Sequence, residues 1–304
     1  MILHQSDSVP SEASARRSRL IGIVALIVTV VVWSAFFLSL RFGARFKLPP
    51  VEIAIFRFLP AALIFLPVLI ARRKRMLQAS PVLMILMIAG AGFPYLIVAG
   101  YGLRFTPVSD GSTLLPGLVA VFVSLLGFLF YRRLISRHRI FGLALIVIGM
   151  IGMLHLSDGD PSLRLSDGYL ILIGAAIMWS VFTLAFERSG LQPIDGAVVI
   201  TFGSLPPLVI SILLRGGPNE ILRLEWGSFL WMFVAQGIAV GLVSTIAYTL
   251  AIRHLGATIA SLAGAITPVF ATLLAIPLLG EIPSGSSLAG MALVVTGVVL
   301  TNRR

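Results

Sequence analysis

Of the 304 residues, 58% are hydrophobic and only 12% are charged, and the mean hydropathy is +1.03. No soluble fold has interior enough for so much apolar surface, so the bilayer must be the solvent for most of the chain. The formal charge of +11 comes from short basic clusters between apolar runs, not from one continuous face, which fits cytoplasmic loops and speaks against nucleic acid as a partner.

Residues 1–19 are polar and end in Arg16, Arg17 and Arg19, like the start of a signal peptide. The apolar run that follows, Leu20 to Leu40, is long enough to cross a hydrocarbon core of about 30 Å. Arg41 and Arg45 follow it without a small-residue cleavage pattern, so it reads as a retained first span. Further spans are predicted at 50–70, 81–103, 108–131 and 139–156. After a polar linker, 157–166, come 168–187, 196–214, 228–251, 256–279 and 286–302, ten in all. The narrowest division is between the third and fourth, where only Arg104 to Ser109 interrupt the apolar run.

The chain is one half written twice. Gly290-Met-Ala-Leu-Val-Val-Thr-Gly297 lies 148 residues after Gly142-Leu-Ala-Leu-Ile-Val-Ile-Gly149. Each pair of glycines is seven residues apart, two helical turns, so both lie on one face that a neighbouring helix can approach closely. That face could serve internal packing or a homodimer. Pro268-Val-Phe-Ala-Thr-Leu-Leu274 matches Ala120-Val-Phe-Val-Ser-Leu-Leu126, again 148 apart. Trp179-Ser180 follows Trp33-Ser34 by 146, Leu205-Pro206 follows Leu59-Pro60 by 146, and Tyr248 follows Tyr101 by 147.

With the N-terminus inside, cytoplasmic segments hold fifteen basic residues: Arg16, Arg17, Arg19, Arg72, Arg73, Lys74, Arg75, Arg132, Arg133, Arg137, Arg139, Arg188, Arg253, Arg303 and Arg304. The opposite side holds seven: Arg41, Arg45, Lys47, Arg104, Arg164, Arg215 and Arg223. This bias predicts that both termini are cytoplasmic. Five spans per half force the second half into the membrane upside down. Inverted repeats of this kind place a binding site near the midplane, where one half rocks against the other. The expected class is therefore an all-α integral membrane protein of ten helices in two inverted five-helix repeats, 20–156 and 167–304.

Trp-Ser in the first span of each half, Arg57-Phe58, Pro-Val-Phe at 268–270, Gly280-Glu281 and the paired Gly-x-Ala-Leu helices together resemble the drug/metabolite transporter superfamily, EamA type. The resemblance covers roughly 20–302. It implies a bacterial inner-membrane protein that exports small metabolites, often amino acids or related compounds. The first half departs from it, with Ala120 where the second has Pro268, and Arg132-Arg133 where the second has Gly280-Glu281.

Trp33 lies about 20 Å into the first span at 1.5 Å per residue, and Trp179 is similarly placed in the sixth. Membrane tryptophans usually sit at the interface, so two near the centre read either as helix packing or as cavity lining. Ser34 and Ser180 either line the same cavity or bond back to the preceding turn. Arg57, buried in its span, would cost roughly 2–3 kcal/mol facing lipid. It must face the bundle, as a structural clamp or as the counter-charge to a substrate carboxylate. Tyr95, Gln236, Ser244, Tyr248, Ser261 and Thr267 are further substrate-binding candidates, each also explicable as helix–helix glue. Pro94 and Pro268 adjoin two of them, and a proline inside a helix frees a carbonyl. Asp110 reads first as a helix cap and Glu52 as a favourable charge in a first turn; both are also candidate proton-coupling residues. Glu281 reads as structural.

No Gly-x-x-x-x-Gly-Lys-Ser/Thr loop is present, so ATP does not drive the protein directly. Carboxylates fall near span ends rather than deep in spans, which favours facilitated export or exchange over tight proton coupling. There are no cysteines, and His4, His138, His155 and His254 are scattered, so neither a metal nor a cofactor is expected. A membrane enzyme would need clustered catalytic carboxylates or histidines near one face, and a sensor would have little use for two inverted repeats. An exporter of a small-molecule substrate is the leading reading.

Overall fold

Prolines open several helices, because a first-turn residue needs no N–H and a fixed φ suits the helix. Pro50, Pro81 and Pro193 do this at the starts of α2 (Pro50–Met76), α3 (Pro81–Ala91) and α8 (Pro193–Leu214). The computed structural model describes residues 12–45, 47–156, 165–280 and 282–301. Glu281, most of the 157–166 linker and the first eleven residues of the N-terminal tail lie outside these. Every regular element among the described residues is helical.

The remaining helices are α1 (Glu12–Arg45), α4 (Phe93–Gly102), α5 (Val108–Tyr131), α6 (Arg137–Leu156), α7 (Leu165–Ser189), α9 (Trp226–Met232), α10 (Thr245–Leu255), α11 (Ala257–Ala263), α12 (Thr267–Leu279) and α13 (Gly285–Thr301). The first helix thus begins within the polar tail, before the apolar run. Seven helical stretches are long and apolar enough to cross a membrane: 16–43, 50–76, 81–102, 108–131, 167–189, 193–214 and 226–255. α12 and α13 are shorter apolar helices. The narrow third–fourth division is real: α4 ends at Gly102 and α5 begins at Val108.

Three stretches are interrupted where sequence reading expected single spans. The third breaks at Gly92, whose space is closed by Ile88 and Ser204. Pro94 cannot donate, and the Ser204 hydroxyl accepts from the Phe93 N–H at 2.9 Å, capping the new helix. The eighth joins α9 to α10 through a π-helical stretch, Phe233–Ser244. There Gly237 comes so close to α2 that a Cβ would lie 2.9 Å from the Phe56 carbonyl oxygen. The ninth is divided by a 3₁₀ turn, Gly264–Ile266, so Pro268 opens α12 instead of lying within a span. Interruptions of this kind are tolerated at membrane depth only where protein or a cavity covers the backbone.

The two glycine faces meet each other. A Cβ on Gly142 would sit 2.5 Å from the Gly297 carbonyl oxygen, and one on Gly297 2.5 Å from that of Gly142. Gly149 likewise meets the Gly290 carbonyl oxygen, at 2.8 Å. α6 and α13 therefore run antiparallel, backbone against backbone. Elsewhere α1 packs on α10, α2 on α8, α3 and α4 on α7, and α5 between α7 and α12.

Candidate functional site

The interrupted helices surround an aromatic cluster. Trp33 on α1 and Trp179 on α7 meet edge to face with centroids 5.4 Å apart. Tyr248 packs on both, at 4.9 and 5.6 Å, and Tyr95 and Phe182 pack on Trp179 at 4.7 and 5.2 Å. Such pairs contribute roughly 0.5–1.5 kcal/mol each beyond burial. Polar bonds fix the ring edges. The Trp33 indole N–H donates to the Ser244 hydroxyl at 2.8 Å, and Tyr248 shares a 3.0 Å hydrogen bond with Thr183.

Beside the cluster is a small cavity of about 20 Å³, lined by Trp33, Phe36, Phe37, Arg57, Tyr95, Leu115, Pro116, Val119, Trp179 and Val240. That is room for one water-sized sphere. Arg57 is 4% exposed, and its guanidinium lies over Phe36 and Phe58 at 5.5 and 5.7 Å. Its Nη1 has no hydrogen-bond partner, and among the described residues no carboxylate pairs with it.

Four of the expected substrate residues thus line the cavity: Trp33, Arg57, Tyr95 and Trp179. Ser244 and Tyr248 stand directly behind them. Gln236 donates to Ser39 at 2.8 Å, joining the π-helical stretch to α1, while its carbonyl oxygen has no partner. Thr267 accepts from Ser34 through its backbone, at 3.4 Å, and its own hydroxyl is buried without a partner. Ser34 and Ser180 bond back to Val30 and Ala176, as side chains in a helical turn do. Ser261 bonds only its own turn, to Thr258. Phe36 and Phe37 escaped notice in the sequence, although they lie three and four residues after Trp33, on its helical face. Leu115, Val119 and Val240 carry no signal that separates them from other apolar residues of their spans.

Neither Asp110 nor Glu52 is among the residues that line the cavity. The expectation that Asp110 caps a helix is corrected: Pro107 occupies the cap position, and the carboxylate points sideways. It accepts hydroxyls from Tyr169 on α7 at 2.9 Å and Ser287 on α13 at 3.1 Å. Glu52 does stand in a first helical turn, and its carboxylate accepts the Ile221 N–H at 2.7 Å. At the opposite helix ends, Arg72 pairs with Asp195 at 2.7 Å, and Arg133 pairs with Glu187, which also accepts the Ala257 N–H. Each of these four fastenings joins a residue before the linker to one after it. Asp110→Ala takes the acceptor from the Ser109, Tyr169 and Ser287 hydroxyls; Ser287 can turn to Ser284 at 3.0 Å, but the buried Tyr169 hydroxyl is left unsatisfied, at a cost of about 1–3 kcal/mol. The substitution should lower the melting temperature in detergent by more than Tyr169→Phe, which leaves Asp110 its Ser109 and Ser287 donors.

The model of the EamA-like transporter family matches residues 20–155 and again 166–303. A Salmonella typhimurium protein named a probable amino-acid metabolite efflux pump is 25% identical, over 93% of this chain and 95% of its own. The transporter YdfC of Bacillus subtilis, whose function is uncharacterised, is 27% identical over 89% and 87%. The inner membrane transporter YedA of Escherichia coli, also uncharacterised, is 24% identical over 91% and 89%. A protein of known crystal structure superposes with a TM-score of 0.67 over 94% of this chain and 96% of that one. At 20% identity this similarity concerns the fold alone.

Proposed function

Because the chain belongs to the EamA-like transporter family, we propose that it exports small metabolites, amino acids or related compounds among them, by alternating access at the Trp33–Trp179 cavity. It is a multi-pass membrane transporter; the substrate class and the cycle are the proposal. One observation carries it: tryptophans from equivalent positions of the two halves, 146 residues apart, meet in the wall of one buried cavity.

Other features support the same reading. The helix pairings α1 with α10 and α4 with α7 exchange under the repeat, and so do the contacts of Gly142 with Gly297 and of Gly149 with Gly290. This is what ten helices in two inverted repeats, 20–156 and 167–304, would produce. The four fastenings lie in two sets at opposite ends of the bundle, with the cavity between them. Releasing one set while the other holds would open the cavity to one side at a time, the behaviour expected of inverted repeats rocking about a fixed site. The name of the Salmonella relative supports export and amino acids, and that of the E. coli relative supports the inner membrane. The distribution of basic residues supports cytoplasmic termini.

Proteoliposomes preloaded with a panel of labelled amino acids test this. Release of a subset without ATP is expected. The rate should change little with an imposed pH gradient, because Asp110 and Glu52 are bonded away from the cavity. Retention of every panel member by folded protein refutes the amino-acid assignment, and strong gradient dependence returns the two carboxylates to coupling roles.

A further inference from the structure

The cavity wall carries one formal charge and nothing to balance it. Arg57 is the single ionised side chain among the lining residues; the rest are aromatic or aliphatic. Its buried Nη1 donor is unused. An unpaired buried cation is costly, and such a group persists where a counter-charge visits it. The Phe36 and Phe58 rings lie 5.5 and 5.7 Å from the guanidinium carbon and offer it no anion, whereas a carboxylate would match the guanidinium fork with its two oxygens. An ammonium group in the same space would meet a like charge and find no acid on the wall.

Accepting that the cavity is the substrate site, we infer that it selects carboxylate anions with an apolar, ring-sized body and no amino group, in preference to zwitterionic amino acids. The carboxylate sits on Arg57. The body displaces the single water-sized void and spreads the Trp33, Tyr95 and Trp179 rings, so binding and opening of the cavity are one event. The preferred substrate among these compounds is then a deaminated relative of an amino acid, an aryl- or alkyl-carboxylate of net charge −1, with amino acids carried less readily. The reactions that supply it are those that remove or never install the amino group.

Three ligands sharing a phenyl ring separate the charge terms: hydrocinnamate, phenylalanine and phenethylamine. Titration calorimetry on the full chain in lipid nanodiscs should find hydrocinnamate binding at least about tenfold tighter than phenylalanine, a difference of roughly 1.4 kcal/mol, with phenethylamine weakest. Arg57→Gln should erase that preference, and Arg57→Lys should keep its sign. Equal or tighter binding of phenylalanine overturns the inference while leaving the cavity as the site, as does a preference that survives Arg57→Gln. Hydrocinnamate binding unchanged by Trp179→Ala places the ligand elsewhere, and the cavity reading falls with the inference. Absence of binding by all three also overturns it. If Arg57→Gln does not elute as a folded monodisperse species, the ranking on the unaltered protein decides alone.

Discussion

Trp179→Ala should abolish measurable efflux while leaving a protein that still folds. Trp179 is 7% exposed and touches Trp33, Tyr95, Phe182 and Tyr248, so it is the hub of the cluster and not one wall among several. Truncating a buried tryptophan typically costs about 3–5 kcal/mol. Only part of that can be recovered here by collapse, since α3, α4 and α5 hold α7 from several sides. The cavity of about 20 Å³ would grow to admit several waters. A substrate would then lose the ring it packs against, and the two repeated tryptophans would no longer meet. Trp179→Phe keeps a ring on Tyr95 and should retain a substantial fraction of the rate. Efflux from proteoliposomes and thermal unfolding of the same preparations separate the two effects. An alanine variant that transports normally would remove the central support for the cavity reading.

Gly297→Val should be the most destabilising single change considered. A Cβ there would sit 2.5 Å from the Gly142 carbonyl oxygen and 2.9 Å from Ile146 Cγ1. Carbon atoms in contact prefer about 3.5–4.0 Å, so α6 and α13 must part by roughly 1 Å. The obstacle is backbone, which has no rotamer to yield. Without a hydrophobic drive between helices in lipid, close packing is what holds such a pair together. The expected result is loss of the monodisperse species on size exclusion, or a fall in melting temperature of many degrees. Gly152→Ala is the control. Nothing lies within 4 Å of its added Cβ, and it should be neutral or slightly stabilising through helix propensity. Equal behaviour of the two would mean that the glycine faces do not carry the contact.

Much of this was legible from periodicity alone. Seven-residue glycine spacing predicted a close-approach face on each copy, because that spacing returns to the same side of a helix. The structure puts the two faces together. Trp33 and Trp179 were singled out because tryptophan away from the interface is unusual, and Arg57 because a charge at depth must find shelter. All three are in the cavity wall. Asp110 was misread because a carboxylate near a helix start satisfies the local capping pattern, whereas its real partners, Tyr169 and Ser287, are 59 and 177 residues away. Ser261 and Ser34 were candidates because hydroxyls are polar wherever they fall; each bonds its own turn, and Ser34 also reaches the Thr267 carbonyl, a partner that spacing within its helix does not reveal.

The sequence by itself determined the solvent, the helical class and the doubling, since these depend on composition and on spacing along one chain. Tertiary structure decided which repeated residues meet. It decided that Phe36, Phe37 and Val240 join the wall, that helices break at Gly92 and Gly264, and which distant groups the carboxylates near the span ends fasten. Those outcomes depend on which faces of distant helices come within a few ångströms, and no spacing within a single helix encodes that distance.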